Sequence, residues 1–269
     1  MIIITKINYS KLVKVIIMKK IKFLAAVLIL ISGILISCQK DDTKSKDDPG
    51  NIPGMGEAGG ELEILKPFVL PEGISLVGEV KGAGDSPVSL AGDVFIRNES
   101  NLKDYQGIFG SGGQWVMLNV VLENSTPVDQ EVVIPAGCVF EYKHDENETD
   151  DNNYQHGICL QEVRINIYGS ARHNIILFVY CINKGKEGSN NLVSYIIRGT
   201  STSKLIAFLV DALKFKRIDV TDFTDDEMEE YNRITDRIQE IVWAITNGSG
   251  LTQDDKDFIN ALSDKVGDS

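Results

Sequence analysis

QWVMLNVVLE, residues 114–123, is the stretch that decides the fold class. Trp115, Met117 and a Val-Val pair give it an apolar body that is too long for a solvent-facing edge strand. Aromatic and β-branched residues also favour strands. Glycines precede the stretch at 110–113 and a turn sequence follows at 124–127, which is typical of strand ends. The sequence therefore predicts a long interior β-strand.

Further short strands are predicted on both sides of this stretch, from Glu61 to about Gly199. Residues 158–168 alternate between apolar and polar side chains, with one phase break between Leu160 and Val163 that is typical of a bulge. Several short strands at turn-marked spacing indicate a β-sandwich. The predicted strand cores are 62–65, 74–77, 94–96, 131–134, 138–142, 158–168 and 175–182.

The period of the apolar residues becomes helical after Ser201. Thr224 and Glu227 have the spacing of a capping box that begins a longer helix, and Thr252 is placed to cap a last short helix. We therefore expect a small helical cap on one edge or end of the sandwich. Its apolar stripes are Leu205, Ile206, Phe208, Leu209 and Leu213; Tyr231, Ile234, Ile238, Ile241, Val242 and Ile245; and Phe258, Ile259 and Leu262.

Two adjacent segments, NVVLENST at 119–126 and VVIPAG at 132–137, resemble the immunoglobulin-like domains of exported bacterial proteins. In those domains the corresponding hairpin joins two strands of a sandwich. Trp115 and the cysteines do not have the spacing of the antibody Cys–Trp–Cys core. The resemblance thus concerns architecture, and the predicted fold is mainly β, an immunoglobulin-like β-sandwich followed by a small C-terminal α-helical cap.

The N-terminal region has the pattern of a secretory signal peptide. Three lysines at 19, 20 and 22 precede an apolar run from Phe23 to Ile36, which is too short to span a membrane. The run ends at Leu35-Ile36-Ser37-Cys38, which resembles the lipobox of bacterial lipoproteins. That resemblance implies acylation of Cys38 and cleavage before it, whereas the alternative is an ordinary signal with a chance cysteine. Met18 begins a more typical signal than Met1 does.

These patterns predict four regions: a signal peptide at 1–37, a disordered tether at 38–60, a β-sandwich at 61–200 and a helical region at 201–269. Gln39-Lys40-Asp41-Asp42 resembles the export signal of surface lipoproteins in some Gram-negative groups. It implies an outer-membrane location, lipid-anchored and facing the cell exterior. A solvated linker is the alternative interpretation of the same residues.

Charge restricts the partners of the mature chain. Six of the 27 basic residues lie before Cys38 and all 39 acidic residues follow it, so the mature part has a net charge of −18. So acidic a surface argues against nucleic acid or anionic lipid as a ligand. The predicted partners are the membrane, through the lipid anchor, and an unidentified extracellular ligand or protein.

Three cysteines, Cys138, Cys159 and Cys181, remain if Cys38 is acylated. At most one internal disulfide can then form, and an exported protein permits it. Three pairings are possible and the sequence does not choose among them, although Cys138–Cys159 is preferred because it would close the polar loop between them. Three buried thiols remain an open alternative.

The chain lacks the sequence signatures of common enzymes, including the zincin, nucleophile-elbow and Walker motifs. The acidic run from His144 to Asp151 offers oxygen ligands for Ca²⁺ but lacks the EF-hand glycine and terminal glutamate. A solvated loop is therefore the favoured interpretation of this run, and we predict no metal, no cofactor and no enzymatic activity.

VYCIN at 179–183 and IQEIVW at 238–243 resemble motifs of the thioester domains of bacterial surface adhesins. That resemblance implies a thioester between Cys181 and Gln239 that captures host amines covalently. The competing interpretation makes Cys181 a core residue of a central strand and Trp243 a structural residue that covers the sandwich end. The sequence alone favours the competing interpretation, under which the mature protein shows no loss of mass.

The function that these observations favour is a non-enzymatic binding or adhesion module on a surface-exposed outer-membrane lipoprotein. Two alternatives stay open: a thioester-type covalent adhesin, and an accessory protein of glycan or peptide capture with an unrecognised carboxylate site.

Replacing Cys38 with alanine tests the lipid anchor. We expect the variant to lose metabolic labelling with a clickable palmitate, because the thiol that carries the acyl chain is gone, and to leave the membrane fraction or stay unprocessed. Persistent label in the Cys38→Ala variant would contradict the lipobox assignment.

Overall fold

The computed structural model describes residues 45–83, 94–96, 103–143 and 154–266. Within these ranges the chain forms twelve strands, three α-helices and two 3-10 helices at Val220–Asp222 and Asp225–Glu227. The α-helices are α1 (Lys204–Leu213), α2 (Met228–Thr246) and α3 (Gln253–Ala261). The strands are β1 (Ile64–Pro67), β2 (Ile74–Leu76), β3 (Val80–Gly82), β4 (Val94–Ile96), β5 (Lys103–Gly110), β6 (Val116–Asn124), β7 (Gln130–Ile134), β8 (Cys138–Tyr142), β9 (Gly157–Ile158), β10 (Val163–Ile167), β11 (Ala171–Cys181) and β12 (Ser194–Ser201).

Six of these strands close into an antiparallel β-barrel. The circuit runs β3, β6, β11, β9, β8, β12 and back to β3. The interior strand predicted around 114–123 is confirmed as β6, which pairs with β11 from Val116 opposite Val179 to Asn124 opposite Ala171. Outside the barrel, β2 pairs with β6 and β1 pairs with β12. β5 pairs in parallel with β11, and β4 pairs with β5.

The predicted immunoglobulin-like β-sandwich is wrong, because the ladder of the described strands runs round a closed circuit rather than forming two facing sheets. Closure depends on β12, which pairs with β8 on one edge and with β3 on the other. Alternation along a strand specifies which side chains face the interior, but it does not specify which edges pair. The short strands β3 and β9 complete the circuit and are too brief to leave a sequence pattern.

The hairpin expected from the immunoglobulin-like segments is also absent from the described strands. β6 pairs with β11, β2 and β3, whereas β7 pairs with β10 in a separate two-stranded sheet. The phase break between Leu160 and Val163 is not a bulge within one strand, because the residues before and after it belong to different sheets. The chain leaves the barrel after Ile158, at the end of β9, and enters the second sheet at Val163.

The barrel strands divide the apolar side chains into two clusters. β6 alternates strictly, and one face of β6 and β11 fills the barrel interior with Val116, Leu118, Val120, Leu122, Ile175, Leu177, Val179 and Cys181. Tyr180, on the opposite face of β11, and Ile182, just after the strand, pack against the buried stripe of α2. The second half of β11 is therefore buried on both faces, which explains why its sequence is continuously apolar from Ile175 onward.

The helix starts predicted from the sequence are confirmed. Thr224 and Glu227 form the capping box just before α2, and Thr252 caps α3 by accepting from the N–H of Asp255. Ser203 caps α1. These caps satisfy backbone N–H groups that have no partner within the helix.

Residues 45–62, which we call the N-terminal strap, include much of the region predicted to be a disordered tether. The structure packs them instead against the barrel and α2. Ile52, Met55 and Leu62 are buried among the helices, and the N–H of Gly56 donates to the carbonyl oxygen of Ile182 at 2.8 Å. A Cβ at Gly56, whose φ is +61°, would collide with the carbonyl oxygen of Thr246. The sequence does not predict this packing, because the region is polar overall. The packing depends on three separated apolar residues and on the close approach of the backbone at Gly56.

Several sequence predictions lie outside the described residues. These are the signal peptide and Cys38, the export signal at 39–42 and the acidic run at 144–151. Among the helices that the structure describes, none combines the length and apolar character that a membrane crossing requires.

Replacing Val120 with aspartate tests the strand phase of β6. Val120 is 2% exposed inside the barrel, so an unpaired carboxylate there should destabilise the fold by several kcal/mol. Chemical denaturation measures the change. Val128→Asp is the matched control because Val128 is 61% exposed, and it should alter stability by less than about 0.5 kcal/mol. Equal effects of the two substitutions would show that Val120 does not face the core.

Candidate functional site

The side chain of Gln239 lies against the backbone of Cys181 where α2 meets the barrel. Its Oε1 accepts a hydrogen bond from the N–H of Cys181 at 2.8 Å, and its Nε2 donates to the carbonyl oxygen of Cys181 at 2.8 Å. Cys181 is fully buried and Gln239 is 4% exposed. The two residues of the candidate thioester pair, 58 positions apart in the chain, are therefore in direct contact.

The end of a neighbouring strand explains this contact. β6 pairs with β11 only as far as Val116 opposite Val179, while on the other edge the N–H of Ile182 donates to the carbonyl oxygen of His156 at 3.1 Å. Successive residues of a strand direct their backbone groups to alternate edges, so those of Cys181 face the edge that β6 has left. Buried backbone groups need partners, and the carboxamide of Gln239 supplies one acceptor and one donor as a strand residue would.

The sulphur of Cys181 accepts two hydrogen bonds. The indole Nε1–H of Trp243 donates to Sγ at 3.4 Å, and the backbone N–H of Asn183 donates to Sγ at 3.3 Å. Burial raises the pKa of the Cys181 thiol to about 11, although these two donors act in the opposite direction. At neutral pH the group is therefore a protonated thiol with stabilising donors already in place for a negative charge on sulphur.

Aromatic and basic side chains surround Trp243, which is half-buried. Its ring centroid is 5.9 Å from that of Trp115, with the planes tilted by 52°, and the Nζ of Lys184 lies 5.3 Å from the centroid of the Trp243 ring. Trp115 is 45% exposed, so this aromatic pair extends from the buried sulphur to the protein surface. Trp243 packs against the core of the barrel, and it also contacts the sulphur of Cys181 directly.

His156 supports the chain on the other side of the site. Its Nδ1 accepts from the N–H of Tyr142 at 2.9 Å, and its own N–H donates to the Oδ1 of Asn183 at 3.2 Å. Burial, assisted by the charge of Lys186, lowers the pKa of His156 to about 4. The imidazole is therefore neutral at physiological pH, and it orders the segment that bears Asn183 and Cys181.

This arrangement holds the carboxamide of Gln239 against the backbone of the residue that carries the thiol. The carboxamide carbon of Gln239 is the electrophile, and its oxygen already accepts a hydrogen bond from a backbone N–H, as in sites that stabilise a developing oxyanion. The thiol belongs to the same residue that supplies this N–H. Both groups are removed from bulk solvent, which protects an acyl intermediate from hydrolysis.

The preferred disulfide pair, Cys138 and Cys159, occupies facing positions in the barrel. The register of β8 and β9 continues to these residues, because Val139 lies opposite Ile158 and the N–H of Cys159 donates to the carbonyl oxygen of Cys138 at 2.9 Å. Both are free, buried thiols in the structure, and burial raises the pKa of each thiol. The disulfide therefore stays a prediction, and one that the strand register allows.

A cleft that no sequence pattern predicts lies beside α1. It has a volume of about 1140 Å³, and its wall includes Phe109, Val163, Val210 and Phe215 together with Asp219 and Lys265. The carboxylate of Asp219 accepts from Gly110 and Thr221, and burial raises its pKa. Neither Cys181 nor Gln239 lines this cleft, and its volume is similar to that of small-molecule sites.

Among the described residues, His, Cys, Asp and Glu side chains form no group of three that could hold a metal ion. The sequence does not predict Trp115, His156 or Asn183 as part of the site. Asn183 lies within the motif segment 179–183 and is the one of the three with a signal near it. Trp115 reaches the site through its ring contact with Trp243, and His156 through a bond from its backbone N–H to Asn183. Neither contact leaves a local pattern in the sequence.

No protein-family model matches the chain, and comparison with curated proteins and with solved structures finds no significant match either. The interpretation of the site therefore depends on its own geometry.

The low pKa of His156 predicts a pH dependence of stability. Because the folded state disfavours the protonated imidazole, the stability present above pH 6.5 should fall as the pH drops from 6.5 towards 4. Asparagine at position 156 keeps an acceptor for Tyr142 and removes the titration. The free energy of unfolding of His156→Asn should thus decline less over this interval, by on the order of 2 kcal/mol. Parallel curves for the two proteins in urea denaturation would show that His156 titrates normally.

Proposed function

We propose that this protein is a lipid-anchored surface adhesion module in which Cys181 and Gln239 form an internal thioester. The observation that carries the proposal is the buried contact between the Gln239 carboxamide and Cys181, at 2.8 Å for both hydrogen bonds. The resemblance of residues 179–183 and 238–243 to thioester-domain motifs supports it independently, because the fold brings these two segments together. The module acts stoichiometrically, so it is a binding protein rather than an enzyme.

Thioester formation is a transfer of the Gln239 acyl group from nitrogen to sulphur. The Sγ of Cys181 attacks the side-chain carbonyl carbon of Gln239, a C–S bond forms, and the C–N bond breaks. The thiol proton leaves with the amide nitrogen as ammonia. The hydrogen bond from the N–H of Cys181 to Oε1 survives the reaction and stabilises the oxyanion of the intermediate.

Capture of a partner is the reverse type of acyl transfer. A primary amine on the partner attacks the thioester carbonyl carbon, an amide bond forms and the C–S bond breaks. The electron pair stays on the sulphur of Cys181, which takes up the proton lost by the amine. The product is a covalent link between Gln239 and the partner, and it needs no cofactor.

The location proposed for the protein suits this chemistry. Lipid at Cys38 would hold the module at the outer membrane, and the acidic, non-nucleic-acid-binding surface faces outward. The N-terminal strap continues the anchored chain directly into the site, because Gly56 bonds to Ile182 and accepts from the Nδ2 of Asn183 at 3.2 Å. A load between the anchor and a captured partner is therefore borne by elements that adjoin the thioester.

Non-covalent binding is the second candidate function, and the cleft of about 1140 Å³ beside α1 favours it. Its wall combines apolar side chains with polar and charged ones, which could orient a bound ligand. Binding there would be compatible with covalent capture at Cys181.

Intact mass spectrometry of the reduced mature protein tests the proposal. We expect a mass lower by one molecule of ammonia than that calculated for the mature sequence with its acyl groups at Cys38, and gain of one methylamine after incubation with that amine. Cys181→Ala should remove both effects while it keeps the hydrogen bonds of Gln239, which involve only the backbone of residue 181. Cys138→Ala, at an equally buried thiol, is the matched control and should retain both.

Two outcomes would contradict the thioester. A wild-type mass that equals this calculated mass shows that the carboxamide is intact. A mass deficit that persists in methylamine, or in Cys181→Ala, shows that ammonia was lost at another pair of residues.

A further inference from the structure

We infer that Trp243 is a catalytic residue of amine capture, whose indole N–H stabilises the sulphur of Cys181 as it leaves. This inference rests on the proposed thioester and assigns a role within it. Sequence analysis predicts Trp243 to be structural, and its contact with a reacting atom changes that interpretation.

The leaving group is the part of the reaction that needs help. When the C–S bond breaks, the electron pair moves to a sulphur that is fully buried, where an unpaired negative charge is strongly disfavoured. Two donors are aimed at that atom: the Nε1–H of Trp243 at 3.4 Å and the backbone N–H of Asn183 at 3.3 Å. Of these, the indole N–H is the only side-chain donor, so it can be removed by substitution.

The position of Trp243 is fixed by its helix. It lies four residues after Gln239 on α2, so the electrophile and the donor to the leaving group project from the same face of one helix. The hydrogen bonds of Gln239 to Cys181 fix the position of α2, and they thereby also hold the Nε1 of Trp243 within hydrogen-bonding distance of the sulphur. Trp115 supports the ring at 5.9 Å between centroids.

Lys184 helps to hold the ring. Its Nζ lies 5.3 Å from the centre of the Trp243 ring, and a cation on the ring face is attracted to the π-system. The contacts with Lys184 and Trp115 therefore position the ring whose N–H donates to the sulphur.

The test compares Trp243→Phe with Phe208→Leu in the mature protein. Trp243→Phe keeps an aromatic ring against the barrel core and removes the donor, whereas Phe208→Leu removes a ring on α1 that is 53% exposed and leaves the donor in place. Loss of one hydrogen bond to a charged group corresponds to roughly a tenfold slower reaction. We therefore expect Trp243→Phe to retain the ammonia deficit but to incorporate methylamine about tenfold more slowly, and Phe208→Leu to react at nearly the wild-type rate.

The outcomes separate this inference from the proposal on which it rests. An unchanged rate in Trp243→Phe, with the deficit present, overturns the role of Trp243 alone. Absence of the deficit in the wild type overturns the thioester itself, and the role of Trp243 with it. The chain has two tryptophans, so in a Trp115→Phe protein a benzothiophene analogue of tryptophan can replace Trp243 uniquely. This isostere keeps the ring shape without the N–H, and it decides the question if phenylalanine disturbs folding.

Discussion

The pairing of one carboxamide with one strand residue determines how the helical region sits on the barrel. Gln239 gives Cys181 the donor and acceptor that β6 no longer supplies, and both groups are buried. Breaking it would leave four buried polar groups without partners, and each would cost on the order of 1–3 kcal/mol. The apolar stripe of α2 supplies most of the burial on this side of β11, but apolar packing alone tolerates sliding. The directional hydrogen bonds fix the register.

That register has chemical consequences. With Gln239 fixed, the indole N–H of Trp243 donates to the sulphur of Cys181. The N-terminal strap bonds to the next residue, where the N–H of Gly56 donates to the carbonyl oxygen of Ile182. A buried thiol, a polarised carboxamide and donors for sulphur are then assembled by the same contacts that hold the fold together. A site of this kind is rigid before any partner arrives, which reduces the cost of organising it during reaction.

Local patterns predicted the local elements. Residues close together in the sequence predict the interior strand β6 and the apolar part of β11. They also predict the capping residues Thr224 and Thr252. The barrel could not be predicted from local patterns, because closure depends on which strand edges pair. The strand β3, which helps to close the barrel, has only three residues and is too short to show a pattern. The N-terminal strap has the composition of a tether because polar residues outnumber its three buried apolar side chains.

The site was predictable only in part, for a related reason. The motif resemblance named Cys181 and Gln239, and helical spacing placed Gln239 on the face of Trp243. Their contact could not be derived from the sequence, since Gln239 bonds to the backbone of Cys181 and any residue has a backbone. His156 and Asn183 join the site in the same way.

A high-resolution crystal structure of the mature protein, purified without exposure to amines, would show the proposed bond itself. If the thioester forms, electron density is continuous between the Sγ of Cys181 and the side-chain carbonyl carbon of Gln239, and the carbonyl oxygen still accepts from the N–H of Cys181. An intact Gln239 carboxamide, hydrogen-bonded to the backbone of Cys181 beside a separate sulphur atom, would contradict the proposed thioester.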